Sequence, residues 1–194
     1  MNHLGTKKLD TKHLILRKMT LEDAKMMFKN WTSDERVTKY LTWLPHQDIK
    51  DTKKFIQMNL KEYDNPAFYS WIMEYKQNGE VIGTIGADLH EATRIKTDFY
   101  EIGYCMSYNY WHQGIMSEAL LCVLQFLFEE VKAHRVYSCH DIYNPASGAV
   151  MKRCGMKEEG ISREAGITNK KEYCTLMNYS ILDSEYFENK KQSN

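Results

Sequence analysis

Tyr100-Glu101-Ile102-Gly103-Tyr104-Cys105-Met106-Ser107-Tyr108-Asn109-Tyr110-Trp111-His112-Gln113-Gly114-Ile115-Met116-Ser117-Glu118 is the stretch on which the reading of this chain turns. Phe99, Tyr100, Ile102, Tyr104 and Met106 supply the aromatic and branched residues of a strand. A short turn follows, and Gly114 opens a helix over Ala119 to Val131 that is apolar nearly all the way round, which predicts burial. A strand feeding a helix across a glycine leaves the first N–H groups of that helix unpaired. With the positive end of the helix dipole they form a seat for an anionic phosphate.

Working outward, Phe68 to Tyr75 and Val81 to Leu89 flank Gln77-Asn78-Gly79-Glu80, and Asn-Gly between apolar runs predicts a β-hairpin. Glu91 to Thr97 is read as a polar connection into the central strand. On the other side, Arg135 to Cys139 reads as a strand. Asn144 is placed to cap a short helix, with Pro145 at its first position and Gly155 just past its end. Met156 to Ser162 and Tyr173 to Leu182 are closing strands. Upstream, Leu14, Ile15, Leu16 and Met19 give a first strand. Helices then start at Thr20 and Asp48, the latter stopping at Asn65-Pro66. The order predicts an α+β fold around a mixed, mostly antiparallel sheet. Residues 1–12 are read as a loose N-terminal segment, 13–183 as a single domain and 184–194 as a solvated tail.

Gln113-Gly114-Ile115-Met116-Ser117-Glu118-Ala119-Leu120, preceded by Glu101-Ile102-Gly103-Tyr104, resembles the acyl-CoA pyrophosphate loop of GNAT acetyltransferases. Asn144-Pro145-Ala146-Ser147, followed by Arg153-Cys154-Gly155-Met156, resembles the second signature of the RimJ/RimL-type subgroup, which acetylates protein N-termini. The similarity runs from about Leu14 to Leu182. It implies the GNAT fold, with about seven strands, the central pair splayed apart, helices on the flanks and acetyl-CoA in the gap.

What the resemblance implies for individual residues can be set beside simpler readings. His112, Gln113, Gly114, Ile115, Met116 and Ser117 would offer main-chain donors to the pyrophosphate. The backbone of Tyr104, Cys105 and Met106 would pair with the pantetheine arm. Asn144 matches a residue that touches that arm, and capping its own helix is the plainer role. Ser147 matches the serine that stabilises the departing thiolate; a first-turn serine bonding locally is the alternative. Many relatives carry a tyrosine acid where this chain has Met151, whose thioether cannot donate a proton. For the base, Glu101 resembles the glutamate of some histone-acetylating relatives. Glu164, beside Gly166 in the loop before the last strand, is the other candidate, and a sheet-lining glutamate is the bland one. Trp43, in a proline-bearing loop, and Tyr40 are placed on the acceptor side, whereas Trp31 sits at helical spacing and reads as core.

Composition narrows the classes. Of 194 residues, 26 are basic and 26 acidic, a balance without the electrostatic footprint of a nucleic-acid or anionic-membrane binder. The length suits one domain with a sizeable core. No apolar run approaches a membrane span, and the first residues lack the apolar core of a secretory signal. Five cysteines form no Cys-x-x-Cys pair, so reduced thiols in a cytoplasmic protein are expected. Cys139-His140-Asp141 is the sole metal candidate, and its spacing argues against one. Gly-x-x-x-x-Gly-Lys is missing, which disfavours a nucleotide triphosphatase.

The expectation is therefore an N-acetyltransferase using acetyl-CoA and no metal. Its acceptor is a primary amine: a protein or peptide N-terminus, or a small amine or aminoglycoside. A CoA-binding protein without turnover and a nucleic-acid-binding module are the readings from other classes. Monomer or homodimer is left open.

Overall fold

The computed structural model describes residues 1–89 and 98–192, so the connection expected over Glu91 to Thr97 lies outside the described residues. Among the described residues eight strands form one sheet: β1 (Leu9–Asp10), β2 (Leu14–Arg17), β3 (Tyr69–Tyr75), β4 (Glu80–Leu89), β5 (Phe99–Met106), β6 (Arg135–Asp141), β7 (Lys157–Ile167) and β8 (Tyr173–Leu182). Their spatial order is β1-β2-β3-β4-β5-β6-β8-β7. Every pairing is antiparallel except β5 with β6. The count exceeds the expected seven because two residues of the N-terminal segment, Leu9 and Asp10, pair with β2.

Side-chain alternation along the strands builds a core on each face of the sheet. Leu14, Leu16, Tyr69, Trp71, Met73 and Tyr100 face one side. There they meet α4 (Ile115–Phe126), which continues into a π-helical turn at Leu127–Val131, and α5 (Pro145–Arg153). Burial of α4 follows its sequence, with Leu121 the large apolar residue left outside. Ile72 and Val81 point the opposite way. They are covered by the helical segment that contains α1 (Ala24–Met27), by α2 (Glu35–Thr38) and by α3 (Ile49–Glu62), through Met27, Trp31, Val37 and Ile56. Trp31 is core, as its spacing predicts.

Among the described residues, both terminal segments make contacts remote in sequence, although the C-terminal helix buries no residue. Asn2 N–H donates to Val131 O at 2.7 Å, and Thr6 Oγ1 donates to Phe68 O at 2.9 Å. The Trp71 indole N–H donates to Lys7 O at 2.6 Å. At the other end α6 (Asp183–Gln192) stacks Tyr186 on Phe128 with ring centroids 4.9 Å apart. These partners are remote in sequence, so local polarity alone could not announce them.

Candidate active site

The parallel pair β5–β6 decides where the site lies. It is hydrogen-bonded only over Phe99–Arg135, Tyr100–Val136 and Glu101–Tyr137, after which the strands diverge. At the first step beyond the last rung, the Ser138 hydroxyl donates to Ile102 O at 2.7 Å, standing in for a ladder bond. A cleft of about 660 Å³ opens there, within the range of small-molecule sites. Its walls come from β5, β6, the start of α4, α5, and α2 with its following loop. Because α4 and α2 lie on opposite faces, the cleft passes through the sheet.

Strand periodicity decides which main-chain groups look into the gap. The Cys105 carbonyl lies against Gly83 of β4, and Ser107 N–H donates to Ile82 O at 2.7 Å. Alternate residues Ile102, Tyr104 and Met106 therefore turn their main-chain groups toward the splay. Cys105, of the expected trio, lines the cleft but turns its peptide toward β4, with its thiol 3.3 Å from Thr84 Oγ1. The indole of Trp111 donates to Met106 O at 2.8 Å, so that carbonyl is already paired. An amide-bearing chain laid beside β5 thus meets Tyr104 and the Met106 N–H.

Gly114 adopts a left-handed φ of 78° as the N-cap of α4 and contributes no capping side chain. The first helical bond is Glu118 N–H to Gly114 O at 3.0 Å. That leaves the N–H groups of Ile115, Met116 and Ser117 as orphan donors at the mouth. Glu118, in the same turn, is drawn aside: it accepts from Thr11 Oγ1 at 2.5 Å and His13 N at 2.7 Å. Burial would raise the pKa of its carboxyl, but the bonds from Thr11 and His13 outweigh that and hold it below the usual value. Arg153, at the last turn of α5, places Nη1 3.7 Å from where a Gly114 Cβ would sit, a cation beside those donors. His112 lines the cleft in a left-handed φ of 61°, whereas Gln113 turns away to donate to Asn109 O at 2.9 Å.

Ser147 and Asn144 both line the cleft from the start of α5. Asn144 makes no side-chain cap; its carbonyl instead accepts from Ser147 N–H at 3.1 Å, leaving the amide side chain for the cleft. Across the gap, the Tyr104 phenol oxygen lies 3.0 Å from Ser147 Oγ and 3.0 Å from Ser147 O. Burial pushes the Tyr104 pKa well above the usual tyrosine value, so the phenol stays protonated. Met151 is buried in the core. A phenol reaches Ser147 from β5, a contact that sequence reasoning missed because nothing near Tyr104 signals a partner 43 residues away.

Not every expected residue reaches the cleft. Tyr40 lines it, but Trp43 lies outside the lining, packed beside His46 with ring centroids 5.4 Å apart. Glu101 is exposed on the sheet face opposite α4, where Tyr137 Oη donates to it at 3.3 Å. Glu164 sits exposed on a bulged part of β7. Asp141 is the carboxylate of the lining, and its Oδ1 accepts from Tyr143 N–H at 2.9 Å. Among the described residues no cluster of His, Cys, Asp and Glu could hold a metal ion.

The splay between β5 and β6 thus leaves a cleft through the sheet, with unpaired helix-start donors beside it. The chain belongs to the GNAT acetyltransferase family: the Acetyltransferase (GNAT) domain matches residues 13–157. It is an acetyl-CoA-dependent acyltransferase of that family. It is 31% identical over 180 residues to the uncharacterized N-acetyltransferase p20 of Bacillus licheniformis, covering 92% of this chain and 97% of p20. It is 28% identical to the ribosomal-protein-serine acetyltransferase of Escherichia coli K12, over 77% of this chain and 85% of that protein. The crystal structure of a GNAT-family acetyltransferase from Bacillus anthracis superposes with a TM-score of 0.79 at 26% identity, covering 92% of this chain and 99% of the other.

Proposed function

We propose that the chain acetylates the N-terminal α-amine of a protein or peptide, in the manner of the RimJ/RimL-type enzymes, in the cytoplasm. Acetyl-CoA, when bound, supplies an acetyl group activated as a thioester. The N–H groups of Ile115, Met116 and Ser117 hold its pyrophosphate, with Tyr104, Met106 and Asn144 along the arm. The Tyr104 phenol has one proton and two acceptors on Ser147. When it donates to Ser147 Oγ, the serine O–H is free to donate into the cleft, toward sulfur as the C–S bond breaks. Oriented donors of this kind stabilise charge where it develops. A thiolate with a pKa near 8.5 asks for little more.

The observation that carries the acceptor assignment is that the proton acceptors lining the cleft are two imidazoles, His112 and His140, and one carboxylate, a set without a strong base. Its carboxylate, Asp141, already accepts from the backbone. An α-amine with pKa near 8 is roughly a tenth neutral at pH 7, while a lysine amine near 10.4 is neutral about once in a few thousand. An α-amine therefore needs only a weak proton acceptor, and Glu101 at the edge of the splay fills that role through solvent. Similarity to the E. coli ribosomal-protein-serine acetyltransferase supports the same class.

The test is mass spectrometry of products formed from acetyl-CoA with a library of peptides, small amines and aminoglycosides. Acetylation of peptide N-termini with thiol release is expected. Products confined to lysine side chains or aminoglycosides would overturn the assignment.

A further inference from the structure

Asn169 lies in the turn that joins β7 to β8, yet its hydrogen bonds go to a loop far upstream. Its Nδ2 donates to Thr38 O at 2.8 Å and to Trp43 O at 3.3 Å, across 131 and 126 residues of sequence. Its main-chain N–H donates to Leu41 O at 3.1 Å. Thr38 ends α2, and its carbonyl also accepts from Leu41 N–H at 2.9 Å. The Asn169 amide therefore adds a second, long-range bond to a turn the loop makes itself, and reaches Trp43 O beyond it. That same loop carries Tyr40 and Leu41 into the cleft wall.

The turn is held in shape without its upstream partners. Thr168 N–H donates to Glu172 O at 2.9 Å, and Lys171 N–H donates to Thr168 O at 2.9 Å. Thr168 Oγ1 accepts from Lys170 N and Glu172 N, each at 3.3 Å. Asn169 is thus presented on a preformed hook. With its bonds made, the chain of contacts runs from β6 through its partner β8 to the turn, from Asn169 to the loop after α2, and from that loop to β5. This closes a ring on the α2 face of the sheet, although the hairpin itself stays out of the cleft lining.

We infer that Asn169 is a positioning residue, a clasp that closes this ring and restricts the acceptor to a slender, extended amine. An amine has to pass through the ring to reach Ser147. A peptide N-terminus or a linear alkylamine threads; a branched or fused ring system does not while the clasp holds. This inference rests on the acetyltransferase reading and refines its acceptor class.

Asn169→Asp keeps the size of the side chain but sets an oxygen against two carbonyls, and Asn169→Ala removes it. Hydrogen exchange over residues 38–46, which needs no turnover, should speed up about tenfold in both variants, as expected for lost hydrogen bonds. The acceptor KM of an extended peptide should rise about tenfold. The KM of acetyl-CoA should stay within about twofold, and turnover of an aminoglycoside should gain relative to the peptide. Faster exchange with unchanged acceptor selectivity would overturn the clasp, and so would unchanged exchange. A wild type that acetylates linear small amines but no peptide defeats the N-terminal assignment above and leaves the clasp standing.

Discussion

The Tyr104 phenol oxygen stands 3.0 Å from Ser147 Oγ, joining β5 to α5 across the gap where the sheet splits. Ser147→Ala should lower kcat by about tenfold to a hundredfold with little change in the KM of acetyl-CoA. Tyr104→Phe should lower it by about five- to tenfold, and the double variant should match Ser147→Ala within about threefold, because both act through one hydroxyl. Burial keeps the phenol protonated through the working range, so Tyr104→Phe should leave the alkaline limb of the pH–rate profile in place. Additive losses in steady-state kinetics would separate the two residues.

Gly148, next to Ser147, has no room for a side chain. A Cβ there would sit 2.5 Å from His140 Nε2, and His140 is held by its Nδ1 bond to Asp141 O at 2.7 Å and by stacking on Tyr179. Gly148→Ala should cost about 1–3 kcal/mol of stability and move Ser147 off Tyr104, lowering kcat. His140→Ala in the same chain should restore much of both, as read by thermal denaturation and turnover.

At Gly114 the penalty is conformational rather than steric, since a Cβ would meet only Arg153 Nη1, at an ordinary 3.7 Å. Gly114→Ala forces a side chain into the left-handed region at about 1 kcal/mol. Calorimetry should show acetyl-CoA affinity falling about fivefold, with the fold intact by circular dichroism.

Asp23 accepts from Arg17 Nη1 at 2.9 Å and Nη2 at 2.8 Å, and Arg17 Nε also donates to Glu74 at 2.7 Å. Burial raises the Asp23 pKa, but the Arg17 and Thr20 hydrogen bonds prevail and hold the carboxyl below its usual range. A depressed folded pKa stabilises above the unfolded value near 3.9 and is lost as pH falls through the folded one. Urea unfolding from pH 5 downward should therefore show a loss of stability in acid that is smaller in Asp23→Asn. Arg17→Met should cost about 2–3 kcal/mol at pH 7, because it strands a buried carboxylate.

The geometry of the helix start at Gly114 was legible because its causes are local. A strand, a left-handed glycine and an uncapped helix start all lie between Phe99 and Glu118, and each follows from residue types a few positions apart. The Asn-Gly turn and the Asn144-Pro145 helix start are local in the same way, although Asn144 proved not to cap with its side chain. Glu101 and Trp43 were placed by analogy of position, which does not fix where a side chain points: one faces away from α4 and the other packs beside His46.

The order of strands and helices and the acetyltransferase family were thus determined by the chain's own pattern, since backbone preferences act over a few residues. Only the tertiary structure decided that Tyr104 meets Ser147, that Gly148 must yield to His140, and that Asn169 reaches Thr38, Leu41 and Trp43. Each of these contacts depends on how far β5 and β6 diverge and how the flanking helices settle against them. That balance is struck by packing across the whole core, and no window of sequence contains it.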